Sequence, residues 1–470
     1  MTETHIVRQT PPRISSDTVH AALRAALGRK VTSGDPEKMS AYLADQCLLT
    51  TAGVPAHLVR ATAQEDVVET LKVAHRFQIP VVTRGAGTGL TGAANAIDGC
   101  IMLSLADMNR IVEIDPVGRL ARVEPGVING DLDRAASGHG LGYLPDPGSR
   151  DISTIGGNIA TNAGGMCCVK YGVTREHVAA LTVVLSDGQV LRTGSRTRKN
   201  VTGLDLTSLV VGSEGTLAVI TEATVWLHPR PVGTSTVVAL FGSLRQAVIA
   251  VDILTRTLAP SAVEIMDSQT IAAVNEFTRM GINTTAAAVL LLRFDGSETA
   301  NSTDAELAGD LLGNHGASEV FRTNDPAEGN ELMAARAVAL TALESKGAIL
   351  LHDVAVPVHQ LPALVAGVGQ IAERHELTIA TFGHAADGNM HPTIVFDAAD
   401  SHARHRAKTA FEEVMDLGLS LGGVLSGEHG IGVLKQQHLP KQLDPGTRNL
   451  TKRVKHAFDP MNLLNPGRAL

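Results

Sequence analysis

The chain has 470 residues, a formal net charge of −8, a pI near 6.1 and 44% hydrophobic residues. That length exceeds one hydrophobic core, and an acidic balance without a basic run argues against a nucleic-acid partner. Aromatic residues make up 3% while glycine reaches 46 residues, which favours sites lined by backbone over base-stacking surfaces. Cysteine is confined to Cys47, Cys100, Cys167 and Cys168, with no C-x-x-C. That speaks against a cysteine-held zinc or iron–sulfur site and for a reducing compartment. There is no signal-peptide pattern and no uninterrupted apolar run of about 18 residues. The expected location is the cytoplasm, with peripheral residence at the inner membrane face also compatible.

In chain order, residues 1–16 read as a loose arm broken by Pro11 and Pro12. Ser16-Asp17 then opens a helical pattern with Val19, Leu23, Ala26 and Leu27 on one face, giving an N-terminal helical segment over 1–50. The pattern predicts an amphipathic helix over 62–77 and strands over 79–83, 101–105, 111–114 and 120–124. Between the first two strands lies R-G-A-G-T-G-L-T-G, Arg84 to Gly92. Its glycines fit G-x-G-x-x-G, but only Ala93 to Gly99 separate them from the next apolar run. That is too short for the helix of a dinucleotide-binding crossover. Bare backbone N–H groups are instead expected to ring a phosphate there. A second glycine-rich run, Pro145 to Gly165, reads as backbone wrapping a polar ligand. Strands at 181–185 and 189–193 turn at Asp187-Gly188, and strand 218–226 closes this half before Pro229 and Pro231. Beyond it, strands at 235–241, 289–294 and 349–356 alternate with helices at 243–257, 303–315, 359–375 and 401–421. This predicts an α+β domain on an antiparallel sheet over 232–424, following a unit over 51–231. The tail, 425–470, has no room for a core of its own and is expected to return to an earlier domain.

Chemistry concentrates in two stretches. Phe382-Gly383-His384-Ala385-Ala386-Asp387-Gly388-Asn389-Met390-His391 holds two histidines that a straight strand would face apart. A turn at 387–389 brings them together as a metal site. Glu428, in Ser426-Gly427-Glu428-His429-Gly430, is the best third ligand. A His₂Glu set with an open position suits catalytic zinc, with manganese or iron(II) also compatible. His429 beside it is the natural general base. Arg336, in a helical stretch, could clamp a carboxylate in two places. The vicinal Cys167-Cys168 pair reads as packing.

Taken together, R-G-x-G-T-G, P-D-P-G-S…T-I-G-G-N…N-A-G-G, V-G-S-E-G-T-L, G-H-x-x-D-G-N-x-H, S-G-E-H-G-I-G and the terminal N-P-G-R resemble one family. It is the flavoprotein family with the vanillyl-alcohol-oxidase-type FAD domain. The likeness is strongest to its branch of D-lactate dehydrogenase, glycolate oxidase flavin subunit and D-2-hydroxyglutarate dehydrogenase, and covers roughly 50–470. The resemblance implies a two-subdomain FAD-binding domain plus an α+β cap domain. It implies FAD held by Arg84, Gly85, Ala86, Gly87, Thr88, Gly89 and Leu90 at the pyrophosphate. Pro147, Gly148, Ser153, Thr154, Gly157, Asn158, Thr161, Asn162, Gly164 and Gly165 would follow along the flavin path, with Glu214, Gly215 and Ile220 towards the adenine. No histidine stands in the first loop, so the FAD is expected to be non-covalent. His384, His391 and Glu428 would hold the metal, with His429, Arg336 and Asn389 as the catalytic set. The implied reaction is oxidation of a small D-2-hydroxy acid to the 2-oxo acid. Electrons would pass to an external acceptor: a quinone, a cytochrome or an electron-transfer protein. A homodimer is compatible with this reading. Leu351 stands where hydroxyglutarate-type members carry a lysine, which favours a smaller or more apolar acid. The alternatives are the flavin subunit of a multi-subunit glycolate oxidase and a D-2-hydroxyglutarate dehydrogenase. A metal-free flavin oxidase of alcohols or aryl ethers, and a metal hydrolase using the histidines alone, also remain.

Overall fold

A computed structural model describes residues 15–33 and 35–469; of the arm expected over 1–16, residues 1–14 lie outside them. Two smaller sheets and a two-stranded pairing of Leu141–Gly142 with His228–Pro229 accompany one large sheet. The first runs in the order Val31–Ser33, His57–Arg60, Ile101–Ser104, Val81–Arg84. Val81–Arg84 and Ile101–Ser104 pair in parallel, so the chain crosses between them without a helix, through the glycine loop itself. Helix Gln64–Phe77 covers this sheet. Val67, Leu71 and Ala74, spaced for one helical face, are fully buried. Asp66 folds back to accept from the N–H groups of Thr62 and Ala63 at its start, and Gln78 ends it in the left-handed conformation.

The second sheet is antiparallel, in the order Ile111–Asp115, Leu120–Val123, Val219–Trp226, Val178–Val184, Val190–Gly194. Its last hairpin turns at Gly188, whose φ of +87° suits glycine. Against it packs helix Ile155–Thr161, which the sequence pattern missed because its glycines mask the helical period. Thr154 caps it by accepting from the Gly157 N–H, and Asn162 closes it in the left-handed region.

The large sheet is antiparallel throughout. Its order is Ala317–Thr323, Gly233–Phe241, Ala288–Gly296, Ala262–Asp267, Thr378–His384, Asn389–Phe396, Ala348–Leu351, with Val354–Ala355 also on Asn389–Phe396. The strand expected over 349–356 is thus broken in two at His352-Asp353. One face of the sheet is closed by helices Leu244–Thr255, Glu298–Asn314, Leu361–His375 and Ser401–Ser420. The other packs on Ser268–Thr278, Pro326–Ala337 and Ala339–Glu344. Near the C-terminal end the chain bonds to the first sheet: Val81 donates to Leu463 O, Asn465 donates to Val81 O, and Asn465 Oδ1 accepts from the Thr83 N–H. Among the described residues no helix is long and apolar enough to cross a membrane.

Leu71→Ala removes a fully buried side chain between helix and sheet. It is expected to lower the unfolding free energy by about 2–5 kcal/mol, read by chemical denaturation, whereas an unchanged midpoint would contradict this packing.

Candidate active site

The glycine loops meet because nothing but hydrogen separates them. A Cβ on Gly85 would stand 2.4 Å from Thr154 Oγ1, and one on Gly87, which has a φ of +77°, would strike the Arg84 guanidinium. Between them opens a cavity of about 930 Å³. It is lined by Gly85, Ala86, Gly87, Thr88, Gly89 and Leu90 on one side. Pro147, Gly148, Thr154, Gly157, Asn158, Thr161 and Gly164 line the other, with Glu214, Gly215 and Ile220 beside them. Four residues expected at the cofactor do not line it. Arg84 turns away and donates to the carbonyls of Ala41 and Ala44, fixing the loop from behind. Ser153 is buried, Asn162 accepts from the Arg175 N–H, and Gly165 packs on the Asp146 carbonyl. The segment Asp45 to Leu49, assigned from sequence to the N-terminal helical part, lies against the cavity instead. Gln46 donates its N–H to Gly89 O there. A lining of bare glycine backbone, with the Asn158 amide buried and unpartnered, fits a long polyanionic cofactor such as FAD.

The far end of the cavity is chemically different. The hairpin register pairs Phe382 with His391 and His384 with Asn389, which puts all four on one face of the large sheet; Glu264 pairs with His384 on that same face. Gly388, at φ +75°, makes the turn possible. The two imidazoles are brought together as expected, with ring centroids 5.2 Å apart. His384 Nδ1 meets Glu264 Oε1 at 2.7 Å, and His391 Nδ1 donates to the His352 carbonyl at 3.1 Å. Each ring therefore turns Nε2 towards Glu428 Oε1, at 3.4 Å in both cases. Two ligands each about 2.0–2.1 Å from a tetrahedral ion stand about 3.4 Å apart, so the spacing and the tautomers fit a divalent ion. Although burial opposes it, Glu264 raises the His384 pKa well above its usual value. Against burial too, His384 and His391 hold the Glu428 carboxyl far below the usual carboxylate range.

Potential ligand atoms of Asp353, His391, Glu428 and His429 also lie within 4.8 Å of one another. Asp353 commits one of its oxygens to this loop, while its buried Oδ1 has no hydrogen-bond partner among the described residues. Its Oδ2 accepts from the Ser426 hydroxyl and the N–H groups of Glu428 and His429 at 2.6, 2.9 and 2.8 Å. On the other side of the same loop Glu214 accepts from Ile431 and Gly432, so its carboxylate is spent on backbone rather than left for a cofactor. His429 stacks on His391 at 5.1 Å, with its Nε2 3.9 Å from Glu428 Oε1. Burial pushes its pKa down to about 4, so the neutral ring prevails at pH 7. Asn389 does not line the cavity; it backs Gly427, where a Cβ would touch its Oδ1 at 2.6 Å.

Arg336 is pinned by two contacts. Its Nε lies 2.7 Å from Glu264 Oε2, and its guanidinium sits 4.6 Å from the centre of the Phe382 ring. Its two terminal nitrogens have no partner among the described residues, on a side chain that lines the cavity. Glu264 and Asp353 were missed in sequence. The one available signal was an acid inside an otherwise apolar strand, A-V-E-I-M and L-L-H-D-V. The thiols of Cys167 and Cys168 are free, and burial raises their pKa values strongly, as suits packing residues.

Residues 230–469 match the family described as FAD linked oxidases, C-terminal domain, and residues 55–194 match the FAD binding domain family. Glycolate oxidase subunit GlcD of Bacillus subtilis (strain 168) is 38% identical over 417 residues, 88% of this chain and 89% of that one. D-lactate dehydrogenase of Anaerostipes hadrus is 33% identical over 478 aligned residues, 100% of this chain and 99% of that one. The solved structure of 4-ethylphenol oxidase from Gulosibacter chungangensis superposes with a TM-score of 0.80 at 18% identity, covering 98% of both chains.

Gly85→Ala forces a methyl against Thr154 and is expected to weaken flavin retention by about tenfold or more, read by flavin absorbance after gel filtration. Full retention would contradict the close approach of the two loops.

Proposed function

The chain belongs to the FAD-linked oxidases, and from that premise we propose that it oxidises a D-2-hydroxy acid, such as D-lactate or glycolate, to the 2-oxo acid. The observation that carries this reading is the continuity of one cavity from the glycine loops to the histidine cluster. A Cβ on Gly164, in the second loop, would stand 2.5 Å from Glu428 Oε2. A cofactor on the glycines and an ion on Glu428 would therefore share one chamber. The names of the relatives, D-lactate dehydrogenase and glycolate oxidase subunit, support the substrate class.

In this reading residues 51–231 bind FAD non-covalently, 232–424 bind substrate and metal, and 425–470 return to the FAD unit, with 1–50 as an added segment. His384, His391 and Glu428 hold a divalent ion, zinc by the donor set. When bound, FAD supplies the two-electron acceptor for the Cα hydride and the ion supplies Lewis acidity at the hydroxyl. Arg336 grips the substrate carboxylate with its two free terminal nitrogens, while Glu264 and Phe382 keep the fork from swinging. His429 takes the hydroxyl proton; its depressed pKa keeps the ring neutral beforehand, with one nitrogen able to accept. Asn389 supports the Gly427–Glu428 backbone. Electrons then leave to an external acceptor: a quinone, cytochrome or electron-transfer protein, reached from the cytoplasm or the inner membrane face. A second reading, the flavin subunit of a multi-subunit glycolate oxidase, is favoured by the subunit name of the Bacillus subtilis relative. Reduction of an artificial dye by the purified chain alone would exclude an obligate complex.

His429→Gln is expected to keep its flavin yet slow anaerobic bleaching by D-lactate by about 10²–10⁴-fold. Unchanged bleaching would remove His429 from the proton-transfer role. Chelation is expected to abolish bleaching and Zn²⁺ or Mn²⁺ to restore it; chelator-resistant activity would favour a metal-free flavin oxidase.

A further inference from the structure

We propose that the cavity selects 2-hydroxy acids with a single carboxylate and an apolar side chain, with Glu344 as the residue that turns dicarboxylates away. This rests on the 2-hydroxy-acid reading of the same site.

Arg336 is the arginine at the substrate end, and Glu264 already takes its Nε, so its free fork answers one carboxylate. Leu351 pairs with Thr393, two residues from His391 on the same strand, so Leu351 and Ile349 stand on the sheet face that carries His384 and His391. Across from them, helix Ala339–Glu344 buries Ala339, Ala342 and Leu343 and turns Leu340, Thr341 and Glu344 to the cavity. The wall beyond the reacting carbon is therefore Leu340, Ile349, Leu351 and Phe382.

Glu344 stands at the outer edge of that wall, exposed and lining the same cavity. It makes no ion pair with any described residue, and Lys346 nearby in sequence is held by Glu276. It also sits in the last turn of its helix, where the macrodipole favours cations over carboxylates. Helix stability therefore does not account for a carboxylate at this place. A substrate anchored at Arg336 and extending along the apolar wall would bring a second carboxylate towards Glu344; among the described residues, the cavity's other arginine, Arg150, is paired with Asp133. Like charges there act as the repulsive half of specificity, and the apolar wall as the attractive half.

The experiment measures anaerobic flavin reduction and kcat/KM of the FAD-loaded enzyme with glycolate, D-lactate, D-2-hydroxyisocaproate, D-malate and D-2-hydroxyglutarate. The apolar acids are expected to exceed glycolate, and the dicarboxylates to fall below D-lactate by about tenfold or more. Glu344→Lys is expected to raise the ratio of kcat/KM for D-2-hydroxyglutarate over D-2-hydroxyisocaproate by about tenfold or more. Glu344→Gln should move it the same way by less, mostly through KM. Wild-type enzyme that takes D-2-hydroxyglutarate as well as D-lactate, or a ratio indifferent to both variants, overturns the proposal while leaving 2-hydroxy-acid oxidation intact. A flavin that no acid of the panel reduces overturns both.

Discussion

Two buried carboxylates, arriving from opposite sides, hold up one loop, and the active site hangs on it. Asp353, from the break in the large sheet, accepts from Ser426, Glu428 and His429. Glu214, just before strand Val219–Trp226, accepts from Ile431 and Gly432. Burying a carboxylate is costly unless its oxygens are met by donors, and these donors are mostly backbone amides that would otherwise be orphans. Although burial opposes it, His429 and Lys435 hold Asp353 well below the usual carboxylate range, and burial lowers Lys435 itself. The loop is thus tied from both sides, and it presents Glu428 and His429 side by side.

The rest of the site is arranged around that suspended loop. The hairpin register aims His384 and His391 at Glu428, and Glu264 with the His352 carbonyl fixes which nitrogen of each ring is free. Glu264 also steadies Arg336, so one carboxylate orients both His384 and the Arg336 guanidinium. On the other side, Gly164 lets the cofactor loop approach Glu428 closely enough to make one chamber of two sites. Strands carry His384, His391 and the apolar wall beyond them, which suits the reaction proposed for this site.

Much of this was legible in the residues, for identifiable reasons. Turn chemistry is local, so Gly87, Gly388 and the Asp187-Gly188 hairpin could be read directly from sequence. The approach of His384 to His391 followed from a turn between two strands. Helix Ile155–Thr161 was hidden because its cap and glycines outweigh its period. The parallel pairing of Val81–Arg84 with Ile101–Ser104 was hidden because a helix-free crossover is unusual. Glu264, Asp353 and the Asp45–Leu49 segment were missed for another reason: their partners lie far away in sequence, and only the sheet register or the cavity reveals them. Glu214 carried a motif that named its importance but not its task, which is to hold a loop more than 200 residues downstream.

The most direct measurement is anomalous diffraction at the absorption edge of the bound metal, from crystals of the FAD-loaded enzyme. The expected result is one peak within bonding distance of His384 Nε2, His391 Nε2 and Glu428 Oε1, inside the chamber that holds the flavin. A fully active enzyme whose crystals show no peak there, or a peak elsewhere, would contradict it.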